Sequence, residues 1–414
     1  MNFQKTIVRC AVGLCSVLFL SGASLAQVAT NGQPVLISAL TTPTISPKAL
    51  TTPTQTESSA STISTPASKS TEPAEPVVSE QVMQVRQVAN LLAGKEPASG
   101  LPENLKRSAK WSTYAEAVKT NWDLYSQKIG VPMTDWAKEQ VPVIQDAVFY
   151  PFSGPDFTTV YQLFPNAKRY VMVAMQTAGR PLDLGALTST TTDPNLDLLT
   201  SAWKHYGTHG FFVTEYLDKY LYSTQARIGA STFLATFLTL HGFQVDRVVP
   251  IQVLANGSIE ELPLDTEKWR SVRFNASKDG KKIVLDYLKI DLSNEGFTKS
   301  PEHLEFVRRE AKQPVLFKAA SHLPQNNNFS LIAGEVINNS PLIVQDETGV
   351  KYTSLIDAYN VSLYGKFVVA HHAFSSYHSD LAKGFAQRND VKPLTFRFGY
   401  FKDGNYALIV ALRK

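Results

Sequence analysis

Apolar residues near the start of the folded region recur at helical spacing: Val82, Met83, Val85, Val88, Leu91 and Leu92. That spacing predicts a helix. A second stripe is clearer. Trp111, Tyr114, Ala115, Val118, Trp122 and Tyr125 recur every three or four residues, and Ile129 continues the line. Lys110, Glu116, Lys119 and Asp123 take the other face. Such a stripe is either packed inward or offered as a platform for sugars, and inward packing is the commoner use. Thr134-Asp135-Trp136 reads as the capped start of a third short helix.

Near Pro142 the pattern changes. Asp146 to Phe152 and Arg169 to Met175 are short apolar runs that read as strands, the second buried. Helical periodicity returns at 194–206, 212–222 and 228–241, and again at 300–312, 328–338 and 377–388. Between these lie β-branched and aromatic runs split by Asn256-Gly257, Asp279-Gly280 and Asp403-Gly404, which are hairpin signals. Asp279-Gly280 would join Val272-Arg273-Phe274 to Ile283–Leu288. Asp403-Gly404 would join Leu394–Phe398 to Tyr406–Leu412. Strands and helices do not alternate regularly, so a doubly wound parallel sheet is not expected. The expected fold is α+β: a mainly antiparallel or mixed sheet with flanking helices, preceded by a helical arm.

The first 26 residues stand apart. Lys5 and Arg9 precede an apolar run from Cys10 to Leu20, and Ser24 and Ala26 offer small residues for a cut. This is the pattern of a secretory signal peptide, and the run is short for a bilayer span. Residues 27–78 are rich in Thr, Ser, Pro and Ala and contain no aromatic. They predict a disordered spacer, either a tether or a tolerated tail. The expected organisation is then signal peptide 1–26, spacer 27–78, helical arm or subdomain 79–145 and α+β domain 146–414. No later apolar run is long enough to span a membrane.

Both cysteines, Cys10 and Cys15, fall inside the signal. The mature chain therefore has no thiol for a disulfide, a nucleophile or a metal. Its core must stabilise it, and roughly 330 residues suffice for that. The formal charge of +4 falls to +2 once the two charges of Lys5 and Arg9 leave. Nothing in that balance draws the protein to nucleic acid or acidic membranes. The expected location is periplasmic or secreted.

Few residues suggest chemistry. No G-x-S-x-G, Walker loop, H-E-x-x-H or dinucleotide fingerprint occurs, and no cofactor is expected. Ser201-Ala202-Trp203-Lys204 has the spacing of serine acylases but lacks the companion Lys-Thr-Gly. His205 and His209, at i and i+4 with Glu215 nearby, could face one metal, but Gly207 and Gly210 suggest that the helix ends there. His371, His372, His378 and Asp380 form a denser group, read either as weak metal ligands or as a polar loop opening a helix. Ser153, Gly154, Pro155 and Asp156 follow a strand and precede a helix. They are either a helix cap or an elbow that cradles an anionic or hydroxylated ligand. Gln345, Asp346 and Glu347 follow the apolar run Leu342-Ile343-Val344. Polar clusters after strands often share one edge of a sheet. Ser153, Asp156, Gln345, Asp346 and Glu347 are therefore the candidate ligand-binding residues, expected to converge on one cleft.

Several segments together resemble an uncharacterised family of exported bacterial proteins. They are Phe149–Asp156, Phe164-Pro165-Asn166-Ala167, Lys318–Leu323, Val344–Val350 and, more weakly, Val361–Gly365. The resemblance covers residues 105–414 and implies export and one shared architecture, not a reaction. The chain departs from the family pattern at Gln176, where an acid is usual. It departs again at Glu347–Lys351, where Asp-Ser-Gly-Ile-Pro is usual. A catalytic role for the first acid would leave this member impaired. The expected function is non-catalytic binding of a small ligand, an envelope glycan or a protein partner. The alternative is a hydrolase with a carboxylate-lined cleft, because glycoside cleavage needs paired acids.

Overall fold

The computed structural model describes residues 79–106, 108–184, 192–210, 229–369, 379–400 and 406–414. Residues 1–78, where a signal peptide and a spacer are expected, the helix expected at 212–222, Glu215, His371, His372, His378 and Asp403-Gly404 lie outside them.

The N-terminal helical region comes first. Helix α1 (Glu80–Leu92) is capped by Ser79, whose side chain accepts from the Val82 amide. Helix α2 (Ala109–Tyr125) runs through a π turn, Ser126–Gly130, directly into α3 (Val131–Gln140). Thr134 therefore does not begin a helix. Its hydroxyl instead donates to the Gly130 carbonyl one turn back, at 3.0 Å.

The other elements follow in chain order: β1 (Ala147–Pro151), α4 (Phe157–Leu163), β2 (Arg169–Ala174), α5 (Thr192–His209) and α6 (Ala230–Leu240). Four strands come next, β3 (Gln244–Val253), β4 (Ile259–Glu261), β5 (Ser271–Lys278) and β6 (Lys281–Lys289). Then come α7 (Pro301–Glu310), β7 (Val315–Phe317), α8 (Ser330–Asn339), β8 (Leu342–Gln345), α9 (Tyr352–Ala358), β9 (Tyr359–Lys366), α10 (Ser379–Gln387) and β10 (Tyr406–Arg413).

The fold is α+β with one mixed ten-stranded sheet, in the order β4-β3-β5-β6-β2-β1-β7-β8-β10-β9. Its centre, β6-β2-β1-β7-β8, is parallel. The meander β3-β4-β5-β6 is antiparallel, and β10 runs against both β8 and β9. Every residue of β1 is buried, so β1 shows no alternation, as fits a strand covered on both faces. Val148, Tyr150, Tyr170 and Met172 join one apolar core with helices α1 to α6. Phe149, Val171 and Val173 join a second core with α7 to α10. The N-terminal helices are thus part of the layer covering one face of the sheet.

Two of the three hairpin signals correspond to hairpins. Asp279 (φ 50°) and Gly280 (φ 78°) form a two-residue turn that pairs Lys278 with Lys281. Both positions need positive φ, which Asp-Gly tolerates. Asn256-Gly257 lies in the loop joining β3 to β4. Leu394–Phe398 is not a strand partner of β10, which pairs with β8 and β9 instead. Phe396 and Phe398 are buried loop residues, and Phe396 meets the Trp136 ring edge-on at 5.8 Å. Packing alone accounts for their alternation.

Candidate functional site

The parallel strands end together at their carboxyl edge. From β1 the chain moves to β2 and then β6 on one side, and later to β7 and β8 on the other. The order therefore reverses between β1 and β7. At such a switch point the two connections part and leave a crevice.

The elbow after β1 forms one wall. Phe152 takes a left-handed backbone (φ 60°), and Gly154 follows at φ 54°. The Phe152 conformation costs about 1–2 kcal/mol and is held by its surroundings. Its ring lies 6.3 Å from Phe317 and 5.7 Å from Phe329. The Ser153 amide donates to the Val173 carbonyl at 2.9 Å, tying the elbow to β2. Ser153 Oγ lies 2.8 Å from the Gly154 carbonyl and 3.2 Å from that of Val173, so its proton stays within the loop. Asp156 caps α4 by accepting from the Thr159 amide at 3.2 Å. Its carboxylate already occupies the helix start, so the elbow is not a cradle for an outside anion.

The segment after β7 forms the opposite wall. Lys318 is buried and donates to Asp156 Oδ2 at 3.0 Å, Thr159 Oγ1 at 2.8 Å and the Gly210 carbonyl at 3.0 Å. An ammonium has three protons, and these acceptors match them. The Tyr150 hydroxyl also donates to Asp156 Oδ2, at 3.3 Å. Burial, then the charge of Asp156, pushes the Tyr150 hydroxyl well above its usual range. Ala319, Ser321 and His322 all have positive φ (51°, 51° and 57°). Four of the five non-glycine residues with positive φ among the described residues thus flank this crevice. Strain of this kind concentrates at functional sites.

Asp346 supports that strained segment from behind. Its Oδ2 accepts from the Ala319 amide at 2.6 Å, and its Oδ1 accepts from the Thr348 amide at 2.8 Å and from the Thr348 hydroxyl. Thr348 Oγ1 in turn accepts from the Ala320 amide at 2.7 Å. Burial raises the Asp346 carboxyl, against the pull of these hydrogen bonds and of Lys318. Glu347 is pushed well above its usual range, first by burial of its carboxyl and then by the charge of Asp346. Gln345 serves the turn: its amide exchanges hydrogen bonds with the Val350 backbone at 2.9 and 3.0 Å. A Cβ on Gly349 would stand 2.3 Å from Gln345 Oε1, so that turn requires glycine.

The crevice holds about 160 Å³. Phe152, Ser153, Gly154, Pro155 and Asp156 line it from β1, Met175 and Gln176 from β2, and Lys318 to Ser321 from β7, with Tyr206 and Leu323. Met175 is 52% exposed, at the end of a buried strand. Of the five candidate residues, Ser153 and Asp156 line the crevice. Gln345, Asp346 and Glu347 lie at the same end of the sheet, behind the β7 segment. Lys318, Tyr150 and Met175 were not singled out as site residues from the sequence, and Gln176 was marked only as a departure from the resembled family's acid. The signal for Lys318 was a lysine directly after an apolar run, masked by the shortness of β7.

Elsewhere, α5 continues through Gly207 to His209. A Cβ on Gly207 would meet the Asn121 carbonyl at 2.7 Å, so that glycine marks close approach to α2 rather than a helix end. The rings of His205 and His209 stack at 4.2 Å. Ser201 Oγ donates to the Asp197 carbonyl. Asp380 accepts weakly from the Thr353 amide, at 3.4 Å. Among the described residues no cluster of three or more His, Cys, Asp or Glu could hold a metal, and no helix is long and apolar enough to cross a membrane. No family model matches the sequence, and no curated protein or solved structure matches it either.

Proposed function

We propose that this is an exported, non-catalytic binding protein that holds a small neutral or weakly polar molecule in the switch-point crevice. The observation that carries the reading is the crevice itself, built from three strand ends and lined by three residues with left-handed backbone, Phe152, Ala319 and Ser321. Its charges are already matched, since Lys318 is paired with Asp156. Its walls are largely apolar, with backbone groups and Gln176 for orientation, since the Tyr150 and Ser153 hydroxyl protons are already taken up by Asp156 and by loop carbonyls. Hydrolysis by paired acids is less well supported. Asp156 is committed to Lys318 and its helix, and Asp346 to the backbone it supports.

The strand order favours a second reading. Leaving aside the β3-β4-β5 meander, the sheet reads 3-2-1-4-5-7-6, with strand 7 alone reversed. The 3-2-1-4-5 core is that of doubly wound sheets that hold nucleotides at the switch point. That is an analogy of fold, not of site. The residues do not fit a pyrophosphate: the loop Phe152–Asp156 has one glycine, and the seven-residue helix after it is capped by its own carboxylate.

Thermal-shift and calorimetric titration of the chain from Gln27 onward tests both readings. The probes are cell-wall fragments, oligosaccharides, AMP, NAD and S-adenosylmethionine. The binding reading expects at least one neutral probe to raise the melting temperature, and Met175→Arg to remove that effect. No response to any probe, or a response untouched by Met175→Arg, would overturn it. N-terminal sequencing of the exported protein should begin at Gln27; recovery of Met1 would refute export by a cleaved signal.

A further inference from the structure

The loop leaving β2 serves a second pocket. Met175 and Gln176 line the crevice, and just beyond them Thr177, Gly179 and Arg180 line a pocket of about 460 Å³ with Glu267, Trp269 and Arg270. The loop is tightly held. The Ala178 and Gly179 amides donate to the Arg270 and Trp269 carbonyls, both at 2.9 Å. On its other side the Ala178 carbonyl accepts from the Ser231 amide at 2.9 Å. A Cβ on Gly229 would stand 2.4 Å from that carbonyl, so the backbones pack without room for a side chain.

Arg180 is oriented by this frame. Its guanidinium carbon lies 5.3 Å from the Trp269 ring centroid. One terminal nitrogen, Nη2, donates to the Leu264 and Thr266 carbonyls at 3.1 and 3.2 Å. The Nε and Nη1 donors have no acceptor among the described residues. Neither Arg180 nor Arg270 forms an ion pair there, although surface arginines elsewhere in the chain do, as Arg247 with Glu261. Trp269 is only 4% exposed, and its Nε1 has no hydrogen-bond partner. A planar fork fixed at one nitrogen, with its remaining donors unused, suits two-point recognition of an oxyanion.

We propose that this pocket is an oxyanion site in which Arg180 takes a carboxylate or phosphate group through its free guanidinium donors, with Arg270 adding charge. The site is separate from the crevice, and the proposal stands whether or not the crevice binds a ligand. Isothermal titration with inorganic phosphate and with succinate tests it, with sodium chloride at matched ionic strength as the control. Saturable binding of at least one anion is expected in the intact mature chain. Arg180→Gln should weaken it by about tenfold or more, and Arg180→Lys by less, because a charge remains without the fork. Phosphate binding alone would assign the site to phosphate groups, and succinate binding alone to carboxylates. Arg180 is exposed, so the variants should melt as the parent does; if they do not, Arg270→Gln gives the same test with a several-fold loss. Absence of saturable binding beyond the chloride control, or unchanged affinity in both Arg180→Gln and Arg270→Gln, would overturn the proposal.

Discussion

Lys318 and Asp156 stand 162 residues apart in the chain and 3.0 Å apart in space. Their bond joins the strand ends of β7 and β1 across the switch point, with side chains only 4% and 13% exposed. Asp156 thus has two tasks, capping α4 and neutralising a buried ammonium. Loss of a cap alone costs about 1 kcal/mol. Leaving a buried charge unmatched costs about 3–5 kcal/mol. Asp156→Asn should therefore destabilise by several times the cost of a lost cap, as read by urea unfolding. Lys318→Met should be comparably harmful, and the double variant should recover much of the loss. A single-variant cost near 1 kcal/mol with no coupling in the cycle would mean that the ion pair contributes little.

Glu347 should make the protein less stable as pH rises. Its folded-state carboxyl lies well above the usual carboxylate range, through burial and the charge of Asp346. A raised value means that the folded state holds its proton more tightly than the unfolded state does. The contribution is complete below the unfolded value of about 4.3. It is lost as pH climbs through the folded one. Glu347→Gln keeps the shape without the ionisation. The variant should match the parent near pH 4 and melt higher at neutral pH. A gap that is constant with pH would show that Glu347 is not held protonated.

These two residues show what the sequence could disclose. Asp156 was legible as a cap because capping is local, three residues from donor to acceptor. Lys318 was not, because its partners are set by topology and β7 is only three residues long. The parallel centre was hidden for a similar reason. β1 is buried on both faces and so lacks alternation, and its pairing of Phe149 with Val315 spans much of the chain. By contrast, the Asp279-Gly280 hairpin was plain, since both turn residues adopt positive φ. Gln345, Asp346 and Glu347 were visible as a polar cluster after a strand. That pattern does not tell a ligand site from a brace, and Gln345 and Asp346 brace neighbouring backbone.

Chelation should leave the protein unchanged. Metal ligands stabilise by binding the folded state, so EDTA lowers the melting point of a protein that needs them. The described residues contain no candidate cluster. Equal melting curves with and without EDTA are expected. A drop that zinc restores would direct attention to His371, His372, His378 and Asp380.

Acid should destabilise the protein through His241. Its ring sits among aromatic neighbours, 4.8 Å from Tyr161, 5.2 Å from Trp122 and 6.0 Å from Phe157 by centroid. Its Nε2 has no hydrogen-bond partner. Burial, and secondarily the charge of Lys278, lowers its pKa from 6.5 to about 3. The unfolded chain therefore gains a proton near pH 6.5 that the folded protein refuses until about pH 3. Stability from this group is present above 6.5 and is lost as pH falls across that window. His205, lowered to about 4 by burial and then by His209, adds to the same slope. His241→Phe would place another ring in the cage without a titrating group. Unfolding midpoints in urea between pH 7 and 4 should fall more steeply for the parent than for this variant, with a residual slope from His205. Parallel curves would mean that the imidazole is hydrated or paired in solution and is not the acid-sensitive element of this core.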